Sequence, residues 1–588
     1  MRRYSAREFR TREAPSVFTP AVTEQRFVLD HIVKIDDLAA SDRFAAASSD
    51  VVDAVLEGVG ALAAGEWAPL SRVGDTNGPK WTTDGVKMPA GFPEAYKAYV
   101  DGGWGTIGVP EEFGGQGMPF IIQTAVLETL GGANLGFALA PTLTVGAIEA
   151  LAHHGSPEQQ ALYLPRLATG EWTGTMNLTE PQAGSDVGAV RAKAEPRADG
   201  KWSISGTKIY ISFGDHDMAS NIVHLVLART PDAPPGTKGL SLFLVPKYRL
   251  DADGNPGEFN DVRVVSIEHK LGLHASPTCV LSFGDNGDCI GELIGAELGG
   301  MRGMFTMMNN ARLNVGLQGV QVAERATQLA VAYARDRVQS ARAGAGRDPV
   351  AIIEHPDVRR MLMRMKAQTQ AARALVYLAA SQVDRATLGD ADAQKRLDLL
   401  TPLAKAHGTD IGCEVSSIAI QVHGGMGFIE ETGVAQGFRD ARITPIYEGT
   451  NGIQAADLVG RKLSMDNGGV LNALIADMRA EAQDAGLRGL IDACEEVARR
   501  LLTVDVDDRL AASYPFLTML STAVCGWLME RQGRIAATVD GDPDFLKMKR
   551  AVTDFYVAQI VPEAMGLKAA AMASAAMLYA LEPAAFAA

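Results

Sequence analysis

Cysteine is scarce in this chain of 588 residues, which has five: Cys279, Cys289, Cys413, Cys494 and Cys525. Their number is odd, their spacing is wide, and none belongs to a CxxC pair or stands beside a His at ligand spacing, so neither a disulfide framework nor a zinc site organises the fold. They read as buried, reduced thiols of a cytosolic protein. Long apolar runs are also missing, since nowhere do the about 18 uninterrupted apolar residues needed to cross a bilayer occur. The first residues, MRRYSAREFRTREAPS, carry charge but no apolar h-region, which argues against a secretory leader. The expectation is a cytoplasmic protein without membrane insertion.

Cationic excess is missing too. Lys and Arg number 55 against 70 Asp and Glu, a formal net charge of −15, and no basic stripe interrupts that balance. Electrostatics oppose attraction to phosphate backbones, so nucleic acid is not an expected partner. What is present is an ordinary globular balance, 47% apolar and 21% charged, which argues against disorder. The length corresponds to about four domain-sized units, enough to enclose a buried site. No internal repeat of fixed period is visible.

From Phe27 to Glu171 the apolar spacing is mainly helical, as in FVLDHIVKIDDLA and IIQTAVLETL, with Gly and Pro punctuating GVPEEFGGQGMP. In SPEQQALYLPRL, Ser156 is placed to cap a helix whose first turn takes Pro157. The period then shifts toward two in TGTMNLT, KWSISGTKIYIS, NIVHLVLART, GLSLFLVP, DVRVVSI and TCVLSFG, short β-branched runs separated by Gly, Asp, Asn and Pro. Beyond Gly299 long helical patterns return, enough for a bundle, and the residues after Lys462 are helical again. The expected architecture is α+β: an N-terminal α-helical domain at 1–171, a middle β-domain at 172–298, a helical bundle at 299–462 and an additional C-terminal helical domain at 463–588.

The segment RDARITPIYEGTNGIQ sets Glu448 between Tyr447 and Gly449, with Ile446 before them. Desolvation raises a carboxylate's pKa toward neutrality, which suits a general base, and glycine lets a ligand approach closely. A solvated loop carboxylate is the competing reading of an isolated Glu. Short hydroxyl residues in MNLTEPQAGSD and KIYIS are what a polar β-turn or a half-buried strand edge would carry without any ligand. GGMGF lacks the GxGxxG spacing and follows a helical stretch, which rules out a Rossmann reading. His153, His154 and His423 have no second ligand at metal-binding spacing, so no metal is expected.

Taken in order, GVPEEFGGQG from Gly108, MNLTEPQAGSDVG from Met176, SGTKIYIS from Ser205, EHKLGLHASPT from Glu268, the helix around Arg312, QVHGGMGF from Gln421 and the Glu448 segment resemble the acyl-CoA dehydrogenases. The resemblance covers the chain from about Phe27 to Leu463, and the rest is similar to the extra helical domain of the family's longer bacterial members. It implies FAD-dependent oxidation of an acyl-CoA to a trans-2-enoyl-CoA, with Glu448 as base, flavin N5 as hydride acceptor and an electron-transfer flavoprotein as partner. It assigns Met176, Leu178, Thr179, Ile211 and Ser212 to the flavin, with Tyr210 in place of a covering aromatic, and Ser185 to the substrate's pantetheine. Asn309, Arg312, Tyr447 and Gly449 fall on the substrate side. Arg337, Gln421, Gly424 and Gly425 match contacts to the flavin diphosphate, Arg337 and Gln421 across a subunit boundary, which implies an oligomer; the extra C-terminal domain favours a homodimer, and Thr450 and Asn451 match further cofactor contacts. The chain departs from the pattern at Ala311, where some relatives carry the base, at Asn309 for Asp, at Gly452 for Gln, and at Phe213 for Gly, the last a change expected to narrow the site. Two rivals accompany this reading. An acyl-CoA oxidase would share Glu448 and the flavin, and a DNA-associated flavin-retaining protein would need a cationic run that 463–588 lacks.

Overall fold

The computed structural model describes residues 18–588; the side chain of Asn309 also lies outside the described residues. In the N-terminal part, α1 (Phe120–Ala133) and α2 (Leu135–His154) are apolar on nearly every face and almost wholly buried, as expected of helices packed on all sides. By length and composition α2 could cross a membrane, but most of it is buried inside the protein. Asn134 caps α2, its Oδ1 accepting the Phe137 N–H at 3.2 Å. The helix Pro157–Thr169 starts on the expected cap: Ser156 Oγ accepts the Gln159 N–H at 3.2 Å and Gln159 Oε1 accepts the Ser156 N–H at 3.0 Å, a reciprocal capping box.

The middle of the chain forms an eight-stranded sheet of β1 (Trp172–Asn177), β2 (Lys193–Pro196), β3 (Trp202–Ser212), β4 (Asn221–Ala228), β5 (Ser241–Pro246), β6 (Val262–Ile267), β7 (Thr278–Phe283) and β8 (Ile290–Ile294). The order is β6-β7-β3-β8-β5-β4-β1, with β2 also paired to β3, and only β1 and β4 run parallel. Strands β1, β4 and β5 are buried throughout, with protein on both faces of the sheet rather than the one covered face that a period of two suggests. By contrast, β3 alternates between buried and exposed positions.

Three long helices follow: α3 (Gly300–Asp336), α4 (Pro356–Thr387) and α5 (Ala391–His423). Two shorter ones, α6 (Val434–Ala441) and α7 (Asn451–Asp457), flank the Glu448 loop. Glycines set the spacing of α3 and α5, since a Cβ on Gly319 would lie 1.9 Å from the Gly408 carbonyl oxygen. The C-terminal helices α8 (Ala485–Leu501), α9 (Ser513–Ile535) and α10 (Pro543–Phe555) share one apolar cluster with the bundle and the N-terminal helices. Buried ion pairs join these parts as well. Lys549 Nζ donates to Glu24 Oε1 at 2.7 Å, and Arg373 pairs with Glu128 at 2.8 Å and Glu324 at 2.9 Å.

Candidate active site

The Glu448 loop is tied down at both ends. At its start, Arg439 forks onto Asp75 at 2.8 and 2.6 Å and reaches Glu430 at 2.8 Å. Asp440, buried and pushed up to about 6 by desolvation, accepts the Leu273 N–H at 2.6 Å. Gly272 lets these segments touch, because a Cβ there would come within 2.4 Å of the Arg439 backbone. At its end, Thr450 caps α7 by accepting the Ile453 N–H at 3.1 Å, and the Asn451 N–H donates to the Pro445 carbonyl at 2.9 Å. Between these anchors Glu448 has φ 55° and Gly449 has φ 84°. A non-glycine residue in this left-handed region costs about 1–2 kcal/mol, and such strain persists where the surroundings over-determine it.

Glu448 is half-buried by area, yet protein surrounds its carboxylate closely enough that desolvation raises its pKa. The cations Arg312 and Lys405 pull it back down. Arg312 is buried and lies beside the loop, its Nη2 3.8 Å from where a Cβ on Gly449 would sit, and its Nε has no hydrogen-bond partner among the described residues. Lys405 is wholly buried on α5 and lowered to about 8, with desolvation outweighing the attraction of Glu448 and Asp410. Its Nζ donates to the Thr444 carbonyl and to Asn451 Oδ1, both at 2.9 Å. Tyr447 turns its hydroxyl onto Gln318 of α3. The arrangement is a partly desolvated carboxylate, raised from its ordinary value by burial and pulled back by two cations close by.

Asn451 needs correcting. Read as a cofactor contact, it is instead buried, its amide donating to Thr409 Oγ1, the Ala406 carbonyl and Asp410 Oδ1 while its oxygen accepts from Lys405. A side chain so fully satisfied inside the protein has nothing left for a ligand. Lys405 is the residue that sequence reasoning missed. Its signal was a single cation inside an otherwise apolar helical run, LLTPLAKAHG.

Strand β3 brings the β-domain residues together. Ser212 and Ile211 pair with Thr278 and Cys279 of β7, in the segment whose Leu273 is held by Asp440. The turn after β1 is pinned by a buried pair, Lys208 Nζ donating to Glu180 Oε1 at 2.8 Å and to the Leu178 carbonyl at 3.0 Å. Glu180 also accepts the N–H groups of Arg191 and Ala192. Leu178, Thr179 and Ser212 are half-buried, and the hydroxyls of Thr179 and Ser212 make no side-chain hydrogen bond among the described residues. Met176 and Ile211, also read as cofactor contacts, send their side chains into the sheet core, so any contact there is through backbone. Tyr210 is 60% exposed, and Ser185 is exposed on its turn. Phe213, at φ 49°, packs into the helical core edge-on to His216; its ring is committed there. The GDHD run after it is structural, Asp215 accepting the Val86 N–H at 2.9 Å and Asp217 the Met88 N–H at 3.0 Å.

Arg337, Gln421, Gly424 and Gly425 form a separate, exposed set at the ends of α3 and α5. The Arg337 guanidinium donates to Gln339 at 3.1 Å, and among the described residues nothing lies within 4 Å of a Cβ built on either glycine. An open backbone and a lightly engaged guanidinium fit a diphosphate, and unengaged hydroxyls at the end of β3 and in the pinned turn after β1 fit the edge of a flavin ring.

Comparison with known proteins accords with this geometry. Family models match in sequence: the acyl-CoA dehydrogenase N-terminal domain at 56–171, middle domain at 175–286 and C-terminal domain at 299–463, and an acetyl-CoA dehydrogenase C-terminal-like domain at 469–582. The chain is 44% identical to a 3-methylmercaptopropionyl-CoA dehydrogenase of Ruegeria pomeroyi, covering 92% of this chain and 96% of that protein. It is 35% identical to a broad-specificity linear acyl-CoA dehydrogenase of Mycobacterium tuberculosis, over 92% and 95%. An acyl-CoA dehydrogenase structure from Bacillus anthracis, complexed with FAD, shares the fold with a TM-score of 0.72 at 22% identity, covering 93% of this chain and 91% of that one. The protein therefore belongs to the acyl-CoA dehydrogenase family of oxidoreductases.

Proposed function

We propose that this acyl-CoA dehydrogenase takes the α-proton of its thioester substrate with Glu448 and releases a trans-2-enoyl-CoA. The observation that carries the reading is the Glu448 carboxylate, enclosed by protein, raised by desolvation and restrained by Arg312 and Lys405. A base is most effective when its pKa lies near the working pH, and these opposing influences hold Glu448 in that direction. A left-handed turn at Glu448 and Gly449 carries the carboxylate, and the Glu448 N–H would serve the thioester carbonyl as negative charge develops there. Thr179 and Ser212, with the backbone of Leu178, would hold the flavin ring of FAD, and FAD when bound supplies the hydride acceptor. Arg337, Gln421, Gly424 and Gly425 would reach the diphosphate of a second subunit's cofactor, which makes the working unit a homodimer, and an electron-transfer flavoprotein would carry the electrons away.

The test is anaerobic bleaching of the oxidised-flavin absorbance by short, medium and long acyl-CoAs in the wild type and Glu448→Gln. Bleaching by at least one acyl-CoA, lost in the variant while flavin stays bound, is the expected result. Equal bleaching in both proteins would overturn the assignment of the base.

A further inference from the structure

The extra C-terminal domain reaches the surroundings of Glu448 through Tyr514. Tyr514, in the first turn of α9, donates its hydroxyl to Asp410 Oδ2 at 2.7 Å. The other oxygen of the same carboxylate, Oδ1, accepts from Asn451 Nδ2 at 2.8 Å, and Asn451 Oδ1 accepts from Lys405 Nζ at 2.9 Å. Lys405 is close enough to Glu448 for the two charges to attract. Four side chains thus join the outer domain to the loop that carries the carboxylate. Every link has a defined geometry: Asn451 also bonds Thr409 and the Ala406 carbonyl, and Lys405 also bonds the Thr444 carbonyl.

We propose that the C-terminal domain positions the base through this chain, with Tyr514 and Asp410 acting as positioning residues that fix Asn451 and Lys405 and, through them, the ionisation and aim of Glu448. The proposal rests on the reading of Glu448 as the base. Without the Tyr514 donor, Asp410 holds its negative charge less well, since that hydrogen bond is one of the influences that favour the carboxylate. An Asp410 less firmly charged gives the Lys405 cation less support, and a weakened Lys405 favours ionised Glu448 less. The charged groups facing these residues are Arg312 toward Glu448 and Lys405, and Arg442 toward Asp410. None of them is altered by the substitution.

The experiment measures kcat, KM and the pH dependence of anaerobic flavin reduction in the FAD-loaded full-length protein for wild type, Tyr514→Phe, Asp410→Asn, the double variant and Glu448→Gln. Tyr514→Phe keeps the ring and changes a side chain that is 39% exposed, so the fold is expected to persist, which thermal unfolding checks. The expected result is a kcat about threefold to tenfold lower, the scale of one hydrogen bond, with KM unchanged and the acidic limb moved to higher pH. Asp410→Asn should do the same, and the double variant should add nothing further. A Tyr514→Phe enzyme that matches the wild type in kcat and acidic limb, while Glu448→Gln is inactive, overturns the positioning role and leaves the base intact. Reduction that persists in Glu448→Gln overturns both.

Discussion

At Glu448 a backbone requirement and a chemical requirement are in conflict. The left-handed φ of 55° favours glycine by about 1 kcal/mol, but glycine has no side chain to take a proton, the role proposed for Glu448. Glu448→Gly and Glu448→Gln both remove the charge beside Arg312 and Lys405, so their difference isolates the backbone. Thermal unfolding should find Glu448→Gly the more stable by about 1 kcal/mol, with both inactive; an equal or less stable glycine variant would remove the strain argument. Lys405 makes a second residue-scale prediction. Its cation lowers the pKa of Glu448, and a base works above its own pKa and fails as pH falls through it. In Lys405→Met the acidic limb of flavin reduction should therefore move upward by roughly one unit, a shift that stopped-flow measurements across pH would detect.

Helix α1 shows how far an element can depend on a distant residue. Its own N-cap, Pro119, offers no side chain, and the free N–H groups of Phe120 and Ile121 donate to the two carboxylate oxygens of Asp384 on α4, at 2.6 and 3.0 Å. Asp384→Ala should destabilise the protein by about 1–2 kcal/mol, the usual worth of a cap, seen as a lower midpoint in thermal or urea unfolding, and Asp384→Asn, with one acceptor kept, should lose less. The contrast with Ser156 marks what a sequence makes legible. Ser156 and Gln159 are three residues apart, so the cap can be read locally, whereas Asp384 is 264 residues from Phe120. The Glu448 loop was legible for the same reason as Ser156, its chemistry being concentrated in one short segment. Asn451 was misread because proximity in sequence to Glu448 says nothing about which way a side chain turns. The strand Lys193–Pro196 was invisible as a strand, since its Glu and Pro suit only a lightly covered position, and pairing with β3 made it one. Lys208 with Glu180, and Tyr514 with Asp410, are contacts between elements that no local period encodes.

At the scale of the molecule, the C-terminal helices are part of the core. Lys549, fully buried on α10, bonds Glu24 of the N-terminal part, Gln370 of α4 and Gln532 of α9, and Arg364 forks onto Glu563 at 2.7 and 2.8 Å. Lys549→Met should cost about 3–5 kcal/mol because it strands the Glu24 carboxylate in the interior, and adding Glu24→Gln should restore much of that loss; equilibrium unfolding of the two single variants and the double variant is the measurement. The loop that carries Glu448 extends the same dependence to activity. Its anchors come from three separate parts of the chain, Asp75 near the N-terminus, Leu273 in the β-domain and Lys405 in the bundle. None of those parts alone can hold the carboxylate in place. During refolding from denaturant, helical circular dichroism should return first and turnover should lag behind it, since the enzyme becomes competent only when the last of the three has docked.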